Sequence, residues 1–148
     1  MSLPQISKLA TVEIPVSNLE RSVKWYTEIL KLKVHYKGEK EAMLLFNTKG
    51  SATIFLVETN EKSRLSFFNT NTGVTHSVID FYTSDLKGLY DYLKERSVEV
   101  GTYNVNPEDP KGLGGFGFKD PDGNLLSACN INHDAFITEE AFAEAANH

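Results

Sequence analysis

The chain has 148 residues, enough for one domain or for two small repeats sharing a core, and too few for a large multidomain assembly. Its 41% hydrophobic and 24% charged content is that of an ordinary globular protein, and no stretch approaches the ~18 apolar residues of a membrane span. The 15 basic and 20 acidic residues leave a net charge of -5 without a Lys/Arg cluster, which argues against nucleic acid or a membrane as partner.

The N-terminal Met1-Ser2-Leu3-Pro4-Gln5 lacks the charged and apolar regions of a signal peptide. A single cysteine, Cys129, cannot form an internal disulfide, so a cytoplasmic location is expected. The first element is a short strand ending in Glu13-Ile14-Pro15-Val16. A helical stripe follows, with Leu19, Val23, Tyr26 and Leu30 on one face, and Ser17 with Glu20 reads as its capping box. The period then changes to two over Leu32–Tyr36, Ala42–Phe46 and Ala52–Val57, three strands. Thr59 to Val74, rich in Asn, Thr and Ser, reads as a linker. A strand from Val78 and a second stripe of Leu86, Leu89, Tyr90 and Leu93 come next. Val98–Val100, Gly115–Phe118 and Asn124–Cys129 read as strands, and Thr102 to Gly114 as a long loop of the kind that often lines a site. Lys49-Gly50 and Asp122-Gly123 place a glycine where a tight hairpin needs positive φ. Thr138 onward, with Glu139 and Glu140 in a first turn, reads as a packing helix over about 138–147.

The two halves repeat at an offset of 67 residues, pairing Thr11 with Val78, Glu13 with Asp80, Asn18 with Asp85 and Leu19 with Leu86. The predicted fold is α+β: a single domain of two tandem βαβββ modules, at about 8–58 and 75–130, joined by a linker at about 59–74.

Two stretches carry a resemblance, Val12-Glu13-Ile14-Pro15-Val16-Ser17-Asn18-Leu19-Glu20-Arg21-Ser22-Val23-Lys24-Trp25-Tyr26 and Phe118-Lys119-Asp120-Pro121-Asp122-Gly123-Asn124. In this order, within duplicated modules, they resemble the vicinal oxygen chelate superfamily, which groups glyoxalase I, fosfomycin and bleomycin resistance proteins and extradiol dioxygenases. The likeness runs from about Leu9 to Asn130. It implies that eight strands form a curled mixed sheet, a cup, and that members with metal chemistry place His or Glu ligands on the first and fourth strands of each module. An open-coordinated divalent cation there holds two adjacent substrate oxygens. Carried onto this chain, the ligand positions fall on Thr11, Val78, Ser127 and either Ile54 or Phe55, which depart from the pattern. No metal and no cofactor is therefore expected. A register slip of two would bring His76 to a ligand position, but one His without a Glu partner is a poor divalent site. The Asp-Pro-Asp-Gly-Asn stretch also has a purely structural explanation as a turn.

Strand alternation puts Thr11, Glu13 and Pro15 on one face and Val12, Ile14 and Val16 on the other. By the same parity His76, Val78, Asp80 and Tyr82 share a face, with Ile79 and Phe81 beneath the second helix. The expected site centres on Glu13 and Asp80, a carboxylate pair able to act as acid and base or to seat an amine or a cation. Thr11, His76, Val78, Tyr82 and Ser127 surround it as ligand contacts. A plainer alternative leaves both acids bonded to neighbouring strands or water. Cys129 borders the face and reads as a small buried hydrophobe rather than a nucleophile. His35, His133 and His148 read as surface residues.

These residues suit a protein that binds a small organic molecule without a divalent metal, either a sequestering or resistance-type binder or an enzyme working through carboxylates. The alternative is a metal-dependent lyase, isomerase or dioxygenase, similar to lactoylglutathione lyase, holding Zn, Ni, Mn or Fe on displaced ligands such as His76, Glu13 and Asp80. The resemblance also implies a homodimer, since module pairing between chains is common in such folds.

Overall fold

A computed structural model describes residues 4–140. Module one runs β1 (Thr11–Val16), α1 (Leu19–Glu28), β2 (Lys33–Lys37), β3 (Glu41–Leu45) and β4 (Thr53–Glu58). Module two runs β7 (Asp80–Tyr82), α2 (Leu86–Glu95), β8 (Asn104–Val105), β9 (Gly114–Lys119) and β10 (Leu125–Cys129). Between them lie β5 (Phe67–Asn69) and β6 (Val74–His76). The strand orders β1-β4-β3-β2 and β7-β10-β9-β8 are the same topology twice, each with its first strand parallel to its last. The βαβββ repeat and the mixed α+β class are thus present. Contacts gather into two units, the residues up to Val78 with Lys119–Leu126, and Ile79–Phe118 with the residues from Ser127.

Local sequence explains the module-one elements. Asn18 ends β1 in extended conformation, and its side-chain oxygen accepts from the Arg21 amide at 3.0 Å, opening α1. Asp85 does the same for α2 through the Gly88 amide at 3.0 Å. The expected Ser17–Glu20 capping box is corrected here: the Ser17 hydroxyl is drawn to Asp122, and Glu20 pairs with Lys37 at 2.6 Å. Pro15 is tolerated because β1 lies at the edge of its sheet, where a missing N–H leaves no ladder bond unmade. Beneath α1, Leu19, Val23 and Tyr26 are buried, as are Ile14, Val16, Ala42, Leu44, Ile54 and Leu56 on the sheet. Each large apolar side chain among them contributes about 1.5–3 kcal/mol by leaving water. In module two, Tyr90 of α2 meets Phe116 edge-on at 5.0 Å, and Phe116 lies 6.0 Å from Phe118, an aromatic core under the helix.

Other expected elements differ from the structure as well. The linker contains the β5–β6 hairpin, closed by the Thr72 and Gly73 amides donating to Asn69 O; its polar composition hid two three-residue strands. The strand expected at Val98–Val100 reduces to a single bridge between Val100 and Phe118, because the Val98 amide donates to Leu93 O and is held by the end of α2. The strand forms instead at β8, inside the predicted loop. The C-terminal helix at about 138–147, and His148, fall largely or wholly outside the described residues. Among those described, no helix is long and apolar enough to cross a membrane.

Candidate functional site

The sequence's most distinctive turn proves to be a structural clamp. Asp120 is 5% exposed and accepts from the Tyr26 hydroxyl at 2.8 Å, the Asn124 amide side chain at 2.8 Å, and the Asp122 and Asn124 backbone amides, each at 2.9 Å. Asn124 also donates to Pro15 O at 2.9 Å, tying the turn to β1. Burial, with the Asp120 carboxylate close by, pushes the Tyr26 phenol far above its ordinary value. Asp122 accepts from Ser17 and, at 2.9 Å, from Arg21, so the turn also grips the start of α1. Burial pushes the Asp122 carboxyl up, but the Ser17 hydrogen bonds and the Arg21 guanidinium outweigh it and hold the group below the usual carboxylate range.

With Ile54 and Leu56 buried against the helix side, Phe55 and Val57 take the other face of β4. Glu13 pairs in register with Phe55, and Phe55 with Met43, so this open face carries a carboxylate beside an aromatic ring and a thioether. Glu13 is exposed and makes no ion pair or side-chain hydrogen bond among the described residues. Thr11 lies two residues along the same face, where its hydroxyl donates to Thr53 O at 3.1 Å.

In module two, Asp80 pairs in register with Ser127, and Tyr82 with Cys129. The Ser127 hydroxyl lies 2.9 Å from Asp80 Oδ1 and 3.1 Å from Ile79 O. Tyr82 is half exposed. On the next strand a side chain at Gly115 would meet Ala128 O at 2.6 Å and the Cys129 Cβ at 3.5 Å, so this part of the face is bare backbone. Burial, reinforced by the Asp80 carboxylate, pushes the Cys129 thiol up, away from thiolate chemistry. The registers make Glu13 and Phe55 the structural equivalents of Asp80 and Ser127, which selects Phe55 over the buried Ile54 as the module-one counterpart.

The strand shared by His76, Val78, Asp80 and Tyr82 is corrected: only Asp80 and Tyr82 lie on β7. His76 belongs to β6, where its ring stacks on Phe67 with centroids 5.0 Å apart and its Nε2 lies 3.3 Å from Asn69 Nδ2. Val78 lies between the two strands and is half exposed. The break arises because β6 turns back on β5, ending one ladder before the next begins.

A family model described as the Glyoxalase/Bleomycin resistance protein/Dioxygenase superfamily matches residues 8–127. The chain belongs to that superfamily. Solved structures with the superfamily fold include an antibiotic-binding protein from Streptomyces sp. CB03234, 21% identical, with 88% of this chain and 100% of that one covered at a TM-score of 0.64. A lactoylglutathione lyase from Agrobacterium tumefaciens is 17% identical, covering 86% and 96% at 0.61, and a fosfomycin resistance protein from Listeria monocytogenes is 17% identical, covering 86% and 94% at 0.63. At these identities the likeness is one of fold. A search of curated proteins gave no match.

The superfamily's divalent metal does not fit the donors present. At the positions its ligands would occupy stand Thr11, Phe55, Val78 and Ser127, of which two offer only a neutral hydroxyl and two offer no donor. Among the described residues no three His, Cys, Asp or Glu side chains converge as a metal site requires.

Proposed function

We propose that this superfamily member binds a small organic molecule on the open sheet faces of its modules, without a divalent metal, as a sequestering or resistance-type protein. The observation that carries the reading is the equivalent placement of Glu13 and Asp80, one carboxylate on each open face, beside residues that do not suit a metal. A carboxylate there seats a protonated amine, and Ser127, Thr11 and Tyr82 supply hydroxyls for neutral polar groups. Similar solved structures include an antibiotic-binding protein and a fosfomycin resistance protein, which supports a ligand-binding role. An exposed carboxylate is also a competent general base, so turnover of the bound molecule is the second outcome to be scored. We further propose that the chain is a homodimer, to be checked by sedimentation at micromolar concentration; a compact 16.5 kDa monomer would reject it.

The test is a thermal-shift screen of the full chain against amine-bearing antibiotics, repeated on Glu13→Gln and Asp80→Asn. Compounds that stabilise the wild type should stabilise at least one variant markedly less. If no compound shifts the wild type, or if both variants respond as the wild type does, the reading fails.

A further inference from the structure

The open face of module one has a polarity that a plain strand reading hides. β2 pairs with β3 through Val34↔Leu44 and Tyr36↔Met43, with a register shift between them. Leu44 is fully buried on the α1 side, and Met43, its neighbour, therefore faces the other way. The shift accommodates one extra residue, His35, and so rotates Tyr36 onto the open face although it lies two residues from Val34. Lys37 confirms the sense: it pairs with Ala42 and reaches Glu20 of α1 at 2.6 Å, on the helix side.

The consequence is a continuous row across four strands, Glu13–Phe55–Met43–Tyr36, each partnered with the next in register. At ~4.8 Å between strands the row spans about 14 Å, the scale of a two- or three-ring system. One end is an exposed carboxylate without a partner among the described residues; the other is a half-exposed phenol. We propose that this row is a platform for a flat aromatic cation, its rings lying on Phe55, Met43 and Tyr36 and its positive group at Glu13. Aromatic faces attract cations and stack with rings, and a thioether adapts to ring edges. An aliphatic amine could reach Glu13 and touch a ring with its charge but would not stack along the row, and an aromatic anion would meet Glu13 with the wrong sign. The proposal rests on the binding reading above and names the ligand class for the module-one face.

Three probes separate these terms: proflavine, a flat three-ring cation; spermidine, an aliphatic cation; and anthracene-9-carboxylate, a flat anion. Each is titrated against the wild type, Glu13→Gln, Tyr36→Ala and Tyr36→Phe, with urea unfolding as the control for folding. Tyr36 lies on an edge strand outside the core, so its removal leaves the fold intact. Proflavine should bind at least tenfold more tightly than the other two, Tyr36→Ala and Glu13→Gln should each weaken it about tenfold, and Tyr36→Phe should restore it. Equal binding of all three probes, or proflavine binding indifferent to Tyr36→Ala, overturns the platform while leaving small-molecule binding in place. Failure of all three to bind the wild type also overturns it, and the broader reading then stands or falls on the antibiotic screen.

Discussion

Tyr26 shows how one side chain can join packing, hydrogen bonding and ionisation. Its ring belongs to the apolar stripe of α1, while its hydroxyl is one of the donors holding the buried Asp120 carboxylate. Tyr26→Phe keeps the ring and removes the donor, and should cost about 1–2 kcal/mol in urea unfolding with an unchanged m-value. The phenol also makes stability depend on pH. Its folded pKa is raised, so the stabilisation is whole below the unfolded value near 10 and declines as pH rises beyond it; Tyr26→Phe should remove that part of the alkaline decline. Asp122 has the opposite sign. Its folded pKa is lowered, so the ionised group stabilises the fold above the unfolded value of about 3.9 and loses that contribution as pH falls through the folded one. Unfolding of Asp122→Asn should therefore depend less on pH between about 5 and 2 than that of the wild type; parallel profiles would show that the Ser17 and Arg21 contacts carry little energy.

At the scale of elements, what the sequence reveals depends on whether the signal is local. Caps and turns are local: Asn18 and Asp85 start helices 67 residues apart, and Gly50 and Gly123 adopt φ of +87° and +86° in equivalent turns. Gly123→Ala should cost about 1–2 kcal/mol, since a Cβ opposes the left-handed conformation; an unchanged midpoint in denaturant would mean that the turn relaxes. Parity was legible wherever a strand was regular, which is why Glu13, Thr11, Asp80, Tyr82 and Ser127 were identified as sharing open faces. It does not reveal the face of Tyr36, which the shifted β2–β3 register turns over although His35 lies exposed as expected, and it misplaces His76, which a hairpin removes from the strand that carries Asp80. Both differences arise from how a strand pairs within its own hairpin, through a shifted register in one and a turn back in the other, which alternation along a single strand does not show. Tyr36 escapes a sequence reading for this reason, whereas the face of Met43 follows from regular alternation with Ala42 and Leu44 and only its place beside Phe55 and Tyr36 needs the registers.

For the whole molecule, duplication gives each module the same topology and different chemistry. Equivalent positions hold Glu13 and Asp80, conserving a carboxylate between the two halves, whereas Phe55 stands opposite Ser127. One face is thereby apolar beside its acid, and the other carries a hydroxyl and bare backbone at Gly115. Under the binding function proposed above, the module-one face would offer its ligand an apolar platform and the module-two face would offer polar contacts, each through side chains rather than a cation. The most direct test of that claim is elemental analysis of protein purified without chelator and without a nickel-binding tag. The account predicts no stoichiometric Zn, Ni, Mn or Fe; one tightly held ion per chain, lost on replacing Glu13, Asp80 or His76, would contradict it.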